Sequence, residues 1–481
     1  MSPGGAAAAR LERSARGQGV VVTSGQQPGL FGGPIYTWSK ALSALAFADA
    51  VQEATGIPVA PVFWAATDDA DFAEASVTRV AVPGGVETLR LPSPPEIGKS
   101  LRDVPLPDVS HLIDALARGA GAATNADILI TVREAYAAGQ TVGGAYVSLL
   151  RRLLEPLGIA VLDAGHRAVR RALHPVLRQA LMRATEIDEA LRARHREITD
   201  AGYEPQVPMV SGLSLGFDTS SGERRRVAIS DASTTAQNTL ADMLGPNVLL
   251  RPVAEWSILP TIAYMAGPGE LAYFAQVSAV ASAMDRDAPL GVPRWSGTIV
   301  EPHVRRILDR YELELDELRD PHAAETRLAR DRVSAEVREG LGRARARLAE
   351  LSRDLGAALR TPPMLVSERV IAGSQRDLEH RIDRLERRFT AAVKQRERDM
   401  LRDIGTARGA LFPDGLPQER ALNLIPLIAR HGPRLLDLLS ERAHEHAAAL
   451  VGADVQAVAA SRPRETAAEH TPPSPSPMAR D

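Results

Sequence analysis

The sequence predicts an α/β protein in which a parallel-sheet core is followed by an α-helical hairpin. Residues 20–23 and 57–64 are apolar runs typical of buried strands, and the segment between them has helical apolar spacing. A strand, a helix and a second strand in this order form parallel neighbours. Residues 337–355 and 378–392 place apolar side chains at alternating spacings of four and three, with Thr361-Pro362-Pro363 between them. That pattern predicts an antiparallel coiled-coil hairpin.

Length and composition exclude several kinds of site and argue against several kinds of partner. The chain has 481 residues, enough for two or three folded units. Its 57 basic residues nearly balance its 60 acidic ones, so the charge favours neither nucleic acid nor an anionic membrane as a partner. Because cysteine is absent, disulfides, zinc–thiolate sites and a cysteine nucleophile are excluded. No apolar run approaches the roughly 20 residues that span a bilayer, and no signal-peptide pattern opens the chain, so we expect a cytoplasmic location.

A glycine-rich loop joins the first strand to the next helix. It contains Gly29, Gly32 and Gly33 and leads to Pro34, which suits the first position of a helix. Glycines let a ligand approach the backbone, and the free N–H groups of a helix N-terminus attract anions. The loop is therefore consistent with an anion-binding corner. It is equally consistent with a tight turn that binds nothing, because neither GxGxxG nor GxxxxGK[ST] is present.

An acidic cluster follows the second strand. Asp68, Asp69 and Asp71 come at its carboxyl end, where parallel sheets bind ligands. Three carboxylates so close repel one another unless a positive group lies nearby. The cluster is therefore either a solvated turn or a site for an amine or a metal ion.

The chain divides into five consecutive segments by composition and apolar spacing. They are a loose arm, a core with two insertions, a coiled-coil hairpin, a helical segment that packs on the core, and a disordered tail. Their bounds are 1–18, 19–305 (with insertions at about 83–155 and 165–245), 306–405, 406–450 and 451–481. We expect a connection rich in Pro and Gly at 83–110, and in the second insertion a long helical region and a β-hairpin.

Five stretches, in chain order, together resemble a known family. They are TSGQQPGLFGGPIYT (23–37), PVFWAATDDADFAE (61–74), NVLLRPVAEWSILPTIAYMAGPGELAYFAQ (247–276), VPRWSGTIVE (292–301) and LFPDGLPQERALN (411–423). The chain thus resembles the cysteine-adding enzymes of bacillithiol biosynthesis. The resemblance implies a Rossmann-type nucleotide-binding core with inserted connecting segments, and a C-terminal coiled coil that forms a homodimer. It also implies a ligase that joins L-cysteine to the amino group of glucosaminyl malate, the last step to bacillithiol.

The chain departs from the family pattern in its acidic cluster and near Arg251. Ala70 stands where relatives usually carry histidine, and Asp68 where they carry glutamate. Trp256 stands where they tend to have an acidic residue. The missing histidine removes a candidate proton carrier unless Asp69 or Asp71 takes its role.

The resemblance and the residue types together define a candidate site. We expect Asp69 or Asp71 to bind the glucosamine ammonium and accept its proton, and Lys40 or Arg294 to neutralise charge on the activated carboxyl group. Substrate contacts are expected from Gln26, Gln27, Tyr36, Asp68, Asn247, Arg251, Gly267, Glu270, Tyr273 and Ser296. Phosphate or nucleotide contacts are expected from Gly29, Gly32, Gly33, Gln418 and Asn423. No residue is assigned as a metal ligand.

Alternatives remain open at this point. Amide formation in water needs an activated carboxyl group, which ATP or another nucleotide, with Mg²⁺, could supply. The chain could instead be an adenylate-forming or nucleotidyl-transferring enzyme with another acceptor. It could also be a non-catalytic dimeric scaffold, for which Ala70 is the best argument. The hairpin is consistent both with a dimer and with a bundle inside one chain.

Overall fold

A computed structural model describes residues 4–94, 98–121, 125–320, 322–358 and 367–460. Its first part contains the predicted strand–helix–strand unit and the first insertion. The elements are α1 (Gly5–Arg16), β1 (Val20–Gln26), α2 (Ile35–Thr55), β2 (Val59–Ala65), α3 (Phe72–Ala75), β3 (Val77–Val82), β4 (Gly85–Arg90), α4 (Ser110–Ala120), α5 (Asp127–Ala135), α6 (Val142–Leu154) and β5 (Ala160–Asp163).

The second part contains another insertion and returns to the core. Its elements are α7 (Arg167–Met182), α8 (Ala184–Asp200), β6 (Leu213–Asp218), β7 (Arg225–Ala228), α9 (Ala232–Asn238), β8 (Leu244–Pro246), α10 (Leu250–Ile258), β9 (Thr261–Ala266), α11 (Pro268–Ala283) and β10 (Gly291–Pro293). The predicted hairpin is confirmed, since β6 pairs antiparallel with β7. β8 joins them in a three-stranded sheet.

The core is a five-stranded sheet in the order β10-β9-β1-β2-β5, and every pair in it is parallel. The predicted βαβ unit is confirmed, with β1 and β2 in register from Val20↔Val59 to Gln26↔Ala65. Pro61 is tolerated inside β2 because pairing with β5 begins only at Val62. β1 lies between β9 and β2, so the carboxyl ends of these strands border one edge of the sheet, where the loops that follow them meet.

The third part is helical. Its elements are α12 (Pro302–Tyr311), α13 (Ala323–Asp331), α14 (Ala335–Ala358), α15 (Glu368–Arg396), α16 (Arg398–Leu411), α17 (Gln418–Ala421), α18 (Ile425–His431) and α19 (Pro433–Ala460). α14 and α15 form the predicted antiparallel hairpin, because Arg332 pairs with Glu397 at its base and Arg345 pairs with Asp383 further out. The connection at 359–366, with Thr361-Pro362-Pro363, lies outside the described residues.

The C-terminal segment packs on the core along α2. α19 has buried apolar residues four apart, Leu435, Leu439, Ala443 and Ala447, which belong to the same apolar cluster as Trp38 of α2. A stripe at this spacing covers one face of a helix. The segment therefore closes one side of the sheet.

Three expectations about the ends and insertions need correction. Residues 1–18 are not a loose arm, because the alanine-rich helix α1 buries Ala7 and its Arg10 pairs with Asp49 at 2.7 Å. Residues 83–110 are not merely a connection, because β4 pairs with β3 along its length. The tail is not disordered from residue 451, since α19 continues to Ala460; residues 461–481 lie outside the described part of the chain. In that described part, no helix is long and apolar enough to cross a membrane.

Candidate active site

A pocket of about 620 Å³ opens at the carboxyl ends of β1, β2 and β9. Loops after these strands form one wall, and α8 with β6 of the second insertion forms the other. The pocket brings together many of the predicted residues: Gln26, Gln27, Tyr36, Lys40, Asp68, Asp69, Asn247, Arg251, Gly267, Glu270, Tyr273 and Arg294. Its position follows the rule that open parallel sheets bind ligands beyond the carboxyl ends of their strands.

Lys40 and Glu270 form a buried ion pair in the pocket wall. The distance between Lys40 Nζ and Glu270 Oε2 is 2.6 Å, and the Lys40 side chain is only 4% exposed. Lys40 also donates to the Gly25 carbonyl and to Gln26 Oε1, each at 2.9 Å. All three ammonium protons therefore have acceptors, and the predicted role of Lys40 as a free cation toward the ligand does not fit this geometry.

The charge state of the pair follows from its neighbours. Burial alone would raise the pKa of the Glu270 carboxyl, but Lys40 and Arg251 outweigh burial and lower it. Glu270 also accepts hydrogen bonds from the Gly267 N–H (2.8 Å) and from the Tyr264 hydroxyl (2.9 Å). Glu270 is therefore a carboxylate that fixes the turn between β9 and α11 to α2.

A row of hydrogen bonds runs from this pair across the pocket. Lys40 donates to Gln26 Oε1, Gln26 Nε2 donates to the Tyr36 hydroxyl at 2.9 Å, and Tyr36 donates to Glu74 Oε1 at 3.5 Å. Burial raises the pKa of Tyr36, and the charge of Glu74 adds to this, so the phenol keeps its proton. Every link in the row donates in the direction of Glu74.

Arg251 on α10 points into the pocket beside two phenols. Its guanidinium lies 3.3 Å from the hydroxyls of Tyr264 and Tyr273 and 4.0 Å from Glu270 Oε1. Gly25 is needed here, since a Cβ at that position would lie 2.6 Å from the Trp64 carbonyl and 3.3 Å from Arg251 Nη1. With only a distant carboxylate, Arg251 keeps donors for an anionic group.

Arg294, the other predicted cation, is already paired. It makes two hydrogen bonds to Glu419, at 2.7 and 2.8 Å, and its side chain is 4% exposed. A bidentate pair of this kind is a strong, fixed contact. The arginine therefore ties the end of β10 to α17, and the predicted role in neutralising the activated carboxyl group is replaced by a structural one.

The three aspartates of the acidic cluster have different partners and do not form one site. Asp69 accepts from Arg224 at 2.7 Å, whereas Asp71 accepts from the Glu74 N–H and caps α3. Asp71 does not line the pocket, which corrects its predicted catalytic role. Asp68 does line it, and burial raises the pKa of its carboxyl group against the opposing charge of Arg224. Among the described residues, no group of three or more His, Asp or Glu could hold a metal ion.

The second insertion supplies residues that the sequence interpretation missed. Arg224 stacks on the Phe217 ring at 3.9 Å, and Arg226 lies 5.6 Å from the same ring. Alternate residues of a strand share a face, so the run of three arginines in the predicted hairpin was the available signal. The other missed members of the pocket lining are Glu74, Arg420 and an apolar wall formed by Ile187, Leu191, Met209 and Leu215.

The predicted phosphate corner is closed by the C-terminal segment. Asn423 Nδ2 donates to the carbonyls of Leu30 (3.2 Å), Phe31 (3.0 Å) and Gly33 (3.4 Å), and the Ile35 N–H donates to Leu422. Gly32 and Gly33 have φ values of 89° and 75°, so these glycines serve a tight turn. None of Gly29, Gly32, Gly33 or Asn423 lines the pocket. The structure therefore favours the tight turn over the phosphate corner, and the predicted phosphate contacts of these residues would lie outside this pocket.

Three further predicted residues either bond the backbone or lie outside the pocket. Gln418 is buried and bonds the Ile299 backbone through both its amide groups, so these groups are already engaged within the fold. Ser296 is exposed and outside the pocket. Asn247 lines the pocket, but its Oδ1 accepts from the N–H groups of Leu249 and Leu250 at the start of α10. Gln418 and Asn247 therefore have structural roles in the fold, and Ser296 does not reach the pocket.

Glu255 is a buried carboxyl group one helical turn beyond Arg251. It is 2% exposed, and neither of its oxygens has a hydrogen-bond partner in the described part of the chain. Burial raises the pKa of Glu255 from 4.5 to about 7, against the opposing charge of Arg251. The folded protein therefore favours the neutral acid.

This raised pKa predicts a pH-dependent stability. The contribution of Glu255 is fully present below pH 4.5 and is lost as the pH rises through about 7. We expect Glu255→Gln to gain about 2–3 kcal/mol in free energy of unfolding relative to the parent between pH 5 and 8. Urea denaturation across this range measures the difference, with Glu53→Gln on the exposed end of α2 as control. Parallel pH curves for parent and Glu255→Gln would contradict the assignment.

Comparison with models of protein families shows to which family this chain belongs. The model of the N-terminal Rossmann-like domain of bacillithiol biosynthesis BshC matches residues 3–295, and that of its C-terminal coiled-coil domain matches residues 297–449. The chain belongs to the BshC family. The resemblance found in the five stretches and the Rossmann-like fold are thereby confirmed, and the boundary between the two domains falls at the loop after β10.

Individual relatives extend over most of this BshC-family chain. Proteins named "Putative cysteine ligase BshC" are 32% identical in Solibacter usitatus (88% of this chain, 82% of the relative) and 32% identical in Koribacter versatilis (91% and 84%). A third, from Symbiobacterium thermophilum, is 30% identical over 90% of this chain and 84% of its own length. The name these relatives carry is that of a ligase in bacillithiol biosynthesis.

Proposed function

We propose that this chain is a cysteine ligase that joins the carboxyl group of L-cysteine to the amino group of glucosaminyl malate, the last step of bacillithiol biosynthesis. One observation carries the proposal. A single pocket at the carboxyl end of the sheet is lined by both cationic groups and carboxylates. An amino acid and an amino sugar linked to a dicarboxylate need both kinds of partner in one place.

The pocket contains candidate partners for both the carboxylate and the ammonium groups of the substrates. Arg251 keeps donors for a carboxylate of malate or cysteine, because its neighbours Tyr264 and Tyr273 are neutral phenols. Arg226 and Arg420 add positive charge to the lining, while Asp68 and Glu74 supply carboxylates for an ammonium group. The pocket volume of about 620 Å³ is in the range of small-molecule sites.

An activated carboxyl group is needed before the amide bond can form. The closed turn at Gly29–Gly33 does not fit the phosphates of a nucleotide, because the Phe31 N–H already donates to Tyr136 and the N–H groups of Gly32 and Gly33 donate to carbonyls within the turn. Any phosphate of an activating nucleotide would instead meet Arg251 or Arg226 in the open pocket. When bound, such a group would supply the leaving group for acyl transfer. The residues of the chain would orient the two substrates and remove the amine proton.

The direct experiment is incubation of the protein with L-cysteine, glucosaminyl malate and ATP–Mg²⁺, followed by mass spectrometry. We expect the coupled thiol to form. Arg251→Met should lower its rate of formation about tenfold to a hundredfold, because a charge-assisted hydrogen bond contributes about 1.5–3 kcal/mol. Arg90→Met, which changes an exposed arginine of β4, is the matched control. Absence of product with the parent protein would refute the proposed reaction and favour another acceptor or a scaffold.

We also propose that two chains associate through the α14–α15 hairpin. Leu351, Leu355, Leu378 and Leu385 lie on its coiled-coil seams and are 44–53% exposed. Seams of this kind bury their apolar residues against a second hairpin. Sedimentation should give the mass of a dimer, and Leu385→Arg should give a monomer; a monomeric parent would refute the association.

A further inference from the structure

The carboxylates around the pocket differ in whether they are free to take a proton. Asp69 is engaged by Arg224 at 2.7 Å and Glu270 by Lys40 at 2.6 Å. Asp71 accepts from the backbone of α3 and does not line the pocket. Asp68 also lines the pocket, but it interacts with the charges of Arg224 and Arg170. Glu74 lines the pocket and makes no ion pair with any described residue. Its oxygens are therefore available to a cation that enters from solvent.

The position of Glu74 is set from two sides. Its N–H donates to Asp71 Oδ1 at 3.0 Å, which fixes the short helix α3. Its Oε1 faces the Tyr36 hydroxyl at 3.5 Å, the last link of the hydrogen-bond row that begins at Lys40. Glu74 thus lies at the open rim of the pocket, where it is still reached by water, with a phenol directing it toward the cavity.

We propose that Glu74 binds the ammonium group of the acceptor and accepts its proton, which rests on the ligase function proposed above. One N–H bond of the ammonium breaks, an O–H bond forms on the Glu74 carboxylate, and the nitrogen keeps the electron pair. That pair then forms the C–N bond with an activated cysteinyl group, an acyl phosphate or acyl adenylate made from a nucleoside triphosphate. The phosphate or nucleotide leaves with the electrons of its bond to the acyl carbon, and the second proton lost by the nitrogen as the amide forms passes to this leaving group or to water.

The electrostatic surroundings support this role. Burial, followed by the charges of Asp71 and Asp69, raises the pKa of Glu74, while Tyr36 and Lys40 on α2 act against the rise. Tyr146 on α6 also faces the carboxyl group and stays protonated, because burial raises its pKa. A raised carboxyl pKa makes a stronger general base at neutral pH.

Glu74→Gln tests the proposal, with Asp71→Asn as the matched control because asparagine also caps helices well. For Glu74→Gln we expect kcat/KM for glucosaminyl malate to fall about a hundredfold, since general-base groups contribute about 10²–10⁴ in rate. The KM for L-cysteine should change less than about twofold. The acid limb of the pH–rate profile should disappear in Glu74→Gln. In Asp71→Asn it should persist but move to lower pH, because the lost charge of Asp71 no longer raises the pKa of Glu74. A purely structural role would not remove that limb.

Two measurements separate failure of this inference from failure of the ligase function. If the parent forms product and Glu74→Gln keeps its kcat/KM and pH profile, Glu74 is not the base and the ligase function stands. If the parent forms no product, calorimetric titration with glucosaminyl malate decides the ammonium contact. An unchanged Kd in Glu74→Gln would then overturn it, whereas about tenfold weaker binding would support it, as expected for one lost charge-assisted contact. Circular dichroism confirms that both variants are folded.

Discussion

Replacement of Lys40 by methionine is expected to lower the free energy of unfolding by about 3–5 kcal/mol and to abolish product formation. Methionine fills a similar volume but leaves the Glu270 carboxylate, only 16% exposed, without its 2.6 Å partner. It also removes the contacts that hold Gly25 and Gln26 at the end of β1. Chemical denaturation and the mass-spectrometric assay measure the two effects.

A matched control and a double variant make this prediction sharp. Lys394→Met removes a more exposed pair, in which Lys394 is 3.3 Å from Glu325, and should cost about 1 kcal/mol or less. Lys40→Met combined with Glu270→Met should recover part of the lost stability, because no uncompensated charge is then buried. A double variant as unstable as the sum of its parts would show that the two groups act independently.

Replacement of Asn423 by aspartate is also expected to lower the free energy of unfolding strongly. The amide donates to three carbonyls of residues 30–33 and to Thr78 Oγ1, and Asn423 is 2% exposed. A carboxyl group of nearly the same shape loses these donors and turns an oxygen toward the carbonyls. We expect a loss of about 3 kcal/mol or more in the free energy of unfolding. The loss should be smaller at low pH, where the introduced acid is neutral.

Thermal and chemical denaturation from pH 4 to pH 8 test this expectation. Asn238→Asp, at the exposed end of α9, makes the same chemical change where no such contacts exist. Its effect should stay within about 0.5 kcal/mol, as for most surface substitutions. Equal effects at both positions would mean that Asn423 does not hold the turn.

The core fold could be predicted from the sequence because its signals are local. The apolar runs of β1 and β2 and the helical spacing of α2 lie within 46 consecutive residues, Val20–Ala65. The hairpin of α14 and α15 also follows from heptad spacing. α1 could not be predicted in this way, because its place depends on the burial of Ala7 and on Asp49, which belongs to another helix.

The sequence predicts which residues lie at the site where they end a strand of the sheet or closely follow one. The carboxyl ends of β1 and β9 correctly placed Gln26 and Glu270 at the pocket. The ion-pair partners of the two cations could not be predicted, because they are distant in the sequence. Lys40 is neutralised by a residue 230 positions away and Arg294 by one 125 positions away. The sequence shows which side chains are charged, but only the folded structure shows whether a charged side chain already has an ion-pair partner.

The contact between Asn423 and the turn after β1 has a consequence for how the protein is made. The turn leaves the ribosome about 390 residues before the side chain that completes it. At about 5–20 residues per second, that interval lasts roughly 20–80 s. During synthesis the nascent first domain therefore carries this turn without the contacts that Asn423 makes to it. A chain interrupted before α17 would lack the side chain that joins the carbonyls of this turn.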